Sequence, residues 1–417
     1  MFLLDAVNNE YLVQACNSAG CTDGDLQWRE QSALSAVKVS QFSSYGDNQE
    51  FLALSENGEF AAFYVERNAD ECDMSIDVMR YTDDQWVLYH SIPIDGQNSV
   101  INAHFSADNS KMLILLGPLA SCSKDDVESS IEDTVVVRYF DLDAKEEKTP
   151  ILVGDLVGVD YWGLRGQSRY SSDGRWLTMT YPNTVVTFQL VDDQWVFGGN
   201  IPPQDSYTPV GNAALSHDGE RLVVASAEDL SGGNASLQKN NGAVSHSFPP
   251  QTCELDYCFG ALHIYEFING SWQLEAELGA RVVDQIDAVD GTDLQVEVDA
   301  NAEKVVLSSW YSPLVLTHTK VDGQWIRNED YYLPERPDRL ALSENGERLI
   351  YCSGEFHYLY WIEGVWSEMP ASGDLLSSRQ CESFVQFGEN EALYLGSYRT
   401  SYGGQTEYGY VEYLYQY

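Results

Sequence analysis

Apolar and polar residues alternate along this chain in short runs, and the runs recur. One of the clearest is Leu215-Ser216-His217-Asp218-Gly219-Glu220-Arg221-Leu222-Val223-Val224-Ala225: an apolar residue, Ser-x-Asp-Gly, a charged pair and a β-branched run. That pattern predicts two strands joined by a tight turn whose glycine takes a positive φ. Further along the same unit, Gly260-Ala261-Leu262-His263-Ile264-Tyr265-Glu266-Phe267 is followed by Asn269-Gly270-Ser271-Trp272 and another alternating run. This predicts a second hairpin and hence four strands per unit.

Aligned on the first turn, the unit returns as Ser55-Glu56-Asn57-Gly58, Ser106-Ala107-Asp108-Asn109, Ser171-Ser172-Asp173-Gly174, Ser216-His217-Asp218-Gly219, Asp299-Ala300-Asn301-Ala302, Ser343-Glu344-Asn345-Gly346 and a degenerate Gly388-Glu389-Asn390-Glu391. The second hairpin leaves a column of tryptophans, Trp86, Trp195, Trp272, Trp325 and Trp366, with Lys145-Glu146-Glu147-Lys148 standing in the second unit. Repetition marks that column as packing between units. A four-stranded unit at a period of about 45 residues is the signature of a β-propeller. No stretch of useful length has helical periodicity, and the connections are short and rich in Gly, Asp and Asn. The expected class is all-β: a single seven-bladed propeller of four-stranded blades spanning residues 1–417. The blades fall near 50–95, 100–153, 165–203, 210–280, 290–334, 337–371 and 380–417.

The last unit ends before a tryptophan strand, whereas Asp25-Leu26-Gln27-Trp28-Arg29-Glu30 has that strand's pattern. Residues 25–34 are therefore expected to complete the last blade, closing the ring and covering an edge that would otherwise stay open.

Charge narrows the partners. Lys+Arg 23 against Asp+Glu 65 gives a net charge of -42, spread along the chain. Nucleic acid and anionic membrane surfaces are disfavoured, because binding them needs clustered Lys and Arg. A solvated acidic surface accounts for the excess, with cationic partners or divalent metal as the other outlet. No apolar run approaches the roughly eighteen residues of a membrane span. Met1-Phe2-Leu3-Leu4, interrupted by Asp5, is too short for a signal-peptide core.

The eight cysteines pair locally as Cys16 with Cys21, Cys72 with Cys122, Cys253 with Cys258, and Cys352 with Cys381. Read as disulfides, they place the chain in an oxidising compartment: secreted, periplasmic or at a cell surface. Neither Cys-x4-Cys pair has the second pair of ligands that a zinc site needs.

Over Leu215 to Leu278, the apolar-Ser-x-Asp-Gly turn, the Leu-Val-Val-Ala run, a Gly/Asn/Ser loop, Gly-Ala-Leu-x-Ile-Tyr and Gly-Ser-Trp resemble the bacterial FG-GAP-type, integrin-α-like propeller repeats. The resemblance implies an extracellular recognition or scaffolding propeller and, in its usual form, bound calcium. Ala225-Ser226-Ala227 stands where that family usually has Gly-Ala-Pro, and no Asp-x-Asp-x-Asp-Gly loop is present. Oxygen ligands for Ca2+ could come from Asp287, Asp290 and Asp293 around Gly291, or from Asp141, Asp143 and Glu146. A hard cation needs six to eight oxygens, and neither set shows the full alternation, so the cofactor is none or Ca2+.

Catalytic motifs are absent. There is no Gly-x-Ser-x-Gly, no His-x-x-x-His, and the seven histidines are scattered. The Ser-x-Asp-Gly turns invite comparison with the structural Asp boxes of sialidases, but arginine is sparse. Paired carboxylates for glycoside hydrolysis cannot be singled out among so many acids.

The large residues are more informative. In a propeller the loops between second and third strands open on one face. Those loops hold Tyr181-Pro182, Trp310-Tyr311, Phe356-His357 and Tyr398-Arg399 with Tyr402; Tyr161, Trp162 and Arg165 precede the third blade on the same face. Aromatics at a polar rim suit a sugar ring or a peptide side chain, with packing between blades as the other reading. The longest insertion, Glu228 to Phe259, emerges there too and is a candidate partner-binding arm. The expected function is a binding or scaffold propeller for a protein or glycan, a monomer within a larger envelope or extracellular assembly. A polysaccharide-active enzyme and a calcium-dependent adhesion module are the alternatives.

Overall fold

The structure is a computed structural model. It describes residues 48–55, 57–68, 73–83, 85–94, 98–106, 108–118, 135–148, 151–152, 168–181, 184–192, 194–201, 210–227, 259–281, 294–309, 312–337, 339–353 and 356–368, and further strands at 3–5, 10–12, 14–17, 20–23, 35–43, 384–387, 393–399 and 408–415. Every regular element among the described residues is a β-strand.

Antiparallel sheets follow one another along the chain. Sheet one is Asn48–Leu54, Phe60–Asn68, Asp73–Thr82 and Gln85–Ile94. Sheet two is Asn98–Phe105, Lys111–Pro118, Val136–Asp141 and Glu146–Glu147, with Ile151–Leu152 also pairing its third strand. Sheet three is Ser168–Tyr170, Trp176–Tyr181, Thr184–Val191 and Gln194–Ile201. Sheet four is Val210–Leu215, Arg221–Ala227, Phe259–Ile268 and Ser271–Arg281. Sheet five is Leu294–Val298, Lys304–Ser309, Ser312–Val321 and Gln324–Arg327, with Tyr331–Tyr332 added to its third strand. Sheet six is Arg339–Leu342, Arg348–Cys352, Phe356–Ile362 and Val365–Glu368. Sheet seven is Phe384–Phe387, Leu393–Arg399 and Tyr408–Tyr415, and its fourth strand comes from the other end of the chain.

That fourth strand is Ser35–Ser43, which runs antiparallel to Tyr408–Tyr415. The pairing falls just after the expected residues 25–34, which themselves lie outside the described residues. The alternation Ala36-Val37-Lys38-Val39-Ser40-Gln41-Phe42 is the strand-like pattern that a tryptophan-centred search passes over.

The first strands of consecutive sheets lie side by side from sheet one to sheet seven. Within sheets one to six the tight turns, from strand one to two and from three to four, lie at one end, the turn face. The connections from strand two to three and between sheets lie at the other, the loop face.

The Ser-x-Asp/Asn-Gly stretch builds the turn face through one repeated set of hydrogen bonds. Ser216 Oγ donates to Asp218 Oδ1 (2.7 Å) and accepts from the Arg221 amide (2.9 Å), while Asp218 Oδ1 accepts from the Glu220 amide (3.0 Å). The same three bonds recur around Ser55, Ser106, Ser171 and Ser343. In sheet five Asp299 replaces serine, and its Oδ1 alone accepts from both Glu303 and Lys304 amides (2.7 and 3.0 Å). Each side chain thereby satisfies amides that the hairpin leaves unpaired. Successive turns are also tied together: the His217 amide donates to Ala300 O (2.7 Å) and the Ala300 amide to Glu344 O (2.8 Å).

In sheets three, four and five the residue that begins the second strand reaches under the turn of the next sheet. Arg221 Nη1 donates to Asn301 O (3.0 Å), Lys304 Nζ to Gly346 O (2.5 Å), and the Trp176 ring lies beneath Gly219. Lys304 is buried with its ammonium 4.4 Å from the Trp361 ring centroid, and burial lowers its pKa to about 8 against the opposing Asp299 and Glu347 charges.

In sheets three to six the tryptophan column packs each sheet against the one before it. Trp272 Nε1 donates to Thr187 Oγ1 of sheet three (2.9 Å), and Trp366 Nε1 to Thr317 Oγ1 of sheet five (2.8 Å). Both threonines hold the same register place, opposite the third residue of strand two. Sheet two has Tyr139 there, and Trp195 meets it edge-on, centroids 6.2 Å apart. Sheet four has Ile264, so Trp325 Nε1 turns instead to Glu275 Oε1 (3.4 Å).

Candidate binding face

Strand order brings one aromatic and acidic cluster to the loop face, where sheets five and six meet. Tyr331–Tyr332 pairs with Val315 and Leu314, at the loop-face end of the third strand of sheet five. Leu333 buries itself and anchors the segment, leaving Tyr332 58% exposed with Glu335 and Arg336 also exposed beyond it. Across the seam, Tyr351 lies near the end of a wholly buried strand of sheet six and packs in the core that Val306, Val315 and Leu333 share with that sheet. His357 stacks on the Tyr351 ring at 4.4 Å and 6°, and its Nδ1 lies 3.0 Å from Glu368 Oε1.

Tyr351 is fully buried, and its hydroxyl has no hydrogen-bond partner among the described residues. Burial pushes this phenol well above the ordinary tyrosine range, and Glu368, Tyr331 and Glu335 add to the shift. The Tyr331 phenol is raised as well, by burial first and then by Glu368. The seam thus gathers carboxylates and aromatic rings.

The first strands meet closely. Arg169 Nη2 in sheet three bonds Glu297 Oε1 in sheet five (2.7 Å), passing over sheet four. His104 Nε2 lies 2.9 Å from Ser168 Oγ, and its pKa falls to about 4 through burial and the neighbouring Arg169 charge. His318, 3% exposed, is also lowered to about 4 by burial and Arg327, against Asp330. These groups are hydrogen-bonding and packing elements, and they carry a pH prediction. The ordinary value for both is 6.5, so the folded chain binds fewer protons than the unfolded chain between pH 6.5 and 4. Their contribution to stability is present above 6.5 and is lost as the pH falls toward 4. The urea midpoint is expected to drop across that window and to drop less steeply in His318→Gln. An unchanged slope in that variant would show that His318 is not held neutral.

On the turn face, a cleft of about 330 Å3 opens between sheets two and three, lined by Ser106, Asp108, Lys111, Asp173, Arg175 and Asp192 among others. Burial favours the neutral Asp108 carboxyl, but hydrogen bonds from Ser106 and Ser110 and the Lys111 charge hold it below its usual value. Asp108 and Asp173 are both bonded within their own hairpin turns. The cleft is therefore walled by the joints of the fold.

Of the residues predicted from sequence, His357 lies in the loop-face cluster, and Phe356 pairs by its backbone with Cys352 beside it. Tyr181 is corrected: it is 2% exposed and packs with Leu177 and Met179 in the core shared with sheet two. Residues 177, 179 and 181 share one side of a strand, so Tyr181 follows its neighbours inward. Tyr398 and Arg399 end a strand, paired with Gly409 and Tyr408. Tyr161, Trp162, Arg165, Trp310, Tyr311, Tyr402, the Glu228 to Phe259 arm apart from its last residue, and the Asp287, Asp290 and Asp293 set lie outside the described residues.

The backbone register sets Cys16 opposite Cys21, and Cys352 is buried and disulfide-bonded. Cys72, Cys122, Cys253, Cys258 and Cys381 lie outside the described residues. Among the described residues no three His, Cys, Asp or Glu side chains gather where they could hold a metal ion, and no helix is long and apolar enough to cross a membrane. Sequence reading missed Tyr331, Tyr332, Tyr351, Glu335 and Glu368. The signal available for the first two was an aromatic pair followed by two prolines, Tyr331-Tyr332-Leu333-Pro334-Glu335-Arg336-Pro337, after a tryptophan strand.

No protein-family model matches the chain, and a comparison with curated protein sequences finds no match. Among solved structures, the chain is similar to the β-propeller domain of Cps50 (Swd1) from Myceliophteria thermophila, with a TM-score of 0.52 at 8% identity over 88% of this chain and 98% of that one. Kuenenia stuttgartiensis hydrazine synthase is also similar, with a TM-score of 0.44 at 13% identity over 89% of this chain and 92% of that one. The likeness to the Cps50 domain, at 8% identity, speaks for the fold alone, and with the sheet order above that fold is the β-propeller.

Proposed function

We propose that the chain is a seven-bladed propeller, secreted or exposed at a cell envelope, that recognises a protein or glycan through its loop face. The observation that carries this reading is the seam between sheets five and six, where an exposed tyrosine, a half-buried tyrosine and a His–Glu pair stand at the edge of the packed core. Such rings offer a flat apolar surface with a hydrogen-bonding edge, the combination enriched where proteins bind partners. Pairing of the N-terminal strand Ser35–Ser43 into the last sheet supports ring closure, which leaves no open edge for nonspecific association. The register of Cys16 with Cys21 and the bonding of Cys352 support the four local disulfides, Cys352 pairing with Cys381, and with them an oxidising compartment.

A glycan array and a panel of envelope proteins test the reading, using the full chain beside Tyr332→Ala and Trp310→Ala. The expected result is a ligand whose affinity falls about tenfold or more in Tyr332→Ala with the melting temperature unchanged. A ligand bound equally well by both variants and the parent would move the binding face elsewhere.

A further inference from the structure

The chemistry of the same seam narrows what it takes. The step rests on the loop face being the binding face and goes beyond that by naming the occupant.

The seam is rich in acceptors. Glu368 ends the fourth strand of sheet six with its carboxylate 43% exposed, and Glu335 is exposed on the segment that leaves sheet five. Glu368 keeps one oxygen on His357 and has acceptor sites to spare. Arg336, the next residue in the chain after Glu335, is exposed and engages neither carboxylate among the described residues. The Tyr351 hydroxyl is wholly buried without a partner among the described residues, and its ionisation is disfavoured by burial first and then by Glu368, Tyr331 and Glu335 of the seam. The Tyr351 ring packs in one core with Leu333, and Tyr331 packs against that core.

A neutral sugar needs donors and acceptors in alternation around its ring. Two carboxylates, a phenol oxygen and tyrosine rings instead match a ligand that has donors only and a positive charge, to which ring faces add attraction. The chain's net charge of -42 draws such a ligand from a distance. We infer that the seam between sheets five and six binds a lysine or arginine side chain carried on an extended segment of a protein partner, with Glu335 and Glu368 as counter-charges and Tyr331 and Tyr332 as flanking rings.

The test is calorimetric titration of the full chain with a short Gly/Ser peptide carrying two lysines, and with the same peptide acetylated on both. Salt is set near physiological strength, where charges beyond about 8 Å are screened. Acetylation is expected to weaken binding about tenfold or more, and Glu335→Gln/Glu368→Gln to do the same toward the lysine peptide. Asp322→Asn/Glu363→Gln removes equal charge from exposed positions at the turn-face ends of the same two sheets and is expected to leave affinity unchanged. Equal loss in that control, equal binding of the acetylated peptide, or no binding at all would overturn the cationic occupant. If a glycan is then found whose binding depends on Tyr332 but not on Glu335 or Glu368, the loop-face reading stands without it. If no ligand of any kind responds to Tyr332→Ala, the loop-face reading itself falls.

Discussion

Gly219→Ala is expected to lower the unfolding free energy by roughly 2–5 kcal/mol, the largest effect of a methyl group added at any of the positive-φ glycines among the described residues. Two costs combine there. Gly219 has φ +69°, a left-handed conformation that any L side chain resists, and a Cβ would sit 2.2 Å from Trp176 Cδ1 and 2.6 Å from its Cγ. Trp176 has nowhere to go. It is 2% exposed and lies against Phe267 at 4.6 Å and Trp272 at 5.2 Å between ring centroids. Gly323 provides the control, because its φ of +77° is comparable but nothing lies within 4 Å of the place a methyl group would take. Gly323→Ala should therefore show the backbone cost alone, about 1–2 kcal/mol. Urea denaturation of both variants reads the difference. Equal losses would mean that Gly219 serves its turn and not the tryptophan beneath it.

Trp366→Ala is the second large effect, expected at about 3–5 kcal/mol. The ring is 3% exposed in the core joining sheets five and six, and its indole N–H is bonded to Thr317 across that interface. Removing it leaves a cavity and a buried hydroxyl without its donor. Trp366→Phe keeps most of the volume, and Thr317→Val removes the acceptor. A double-mutant cycle between these two should return a coupling of about 1 kcal/mol. A coupling near zero, with both single losses intact, would make the tryptophan column a matter of volume and not of hydrogen bonding.

The repeated turn and the tryptophan column were legible in the sequence because each is local: three bonds within six residues, or one large ring placed at a fixed distance after a turn. The inside and outside of the sheets were not legible. Trp176–Tyr181 is buried at every position, since a sheet packed on both sides has no polar face to set the phase. Period-two alternation shows that residues 177, 179 and 181 share a side and not whether that side meets water. Tyr351 was hidden for the same reason, inside a run that reads only as a buried strand. Its partners Tyr331, Glu335 and Glu368 come from a neighbouring sheet and from the far end of its own, distances along the chain that no short motif spans. Ser35–Ser43 carries no tryptophan, so matching on that residue drew attention to the segment before it.

The side chains that open the second strands of sheets three, four and five bear on how the array can be taken apart. Arg221 and Lys304 each complete a turn belonging to the following sheet, and Trp176 supports one. The hydrogen-bonded sheet and the self-sufficient unit are therefore out of step by one joint. A sheet transplanted whole would arrive with its own turn unsupported and leave behind a neighbour in the same condition. Recombination between such repeats would conserve function only where the donor and recipient agree on this one residue, which makes it a compatibility mark between adjacent units and gives the array a direction of reading.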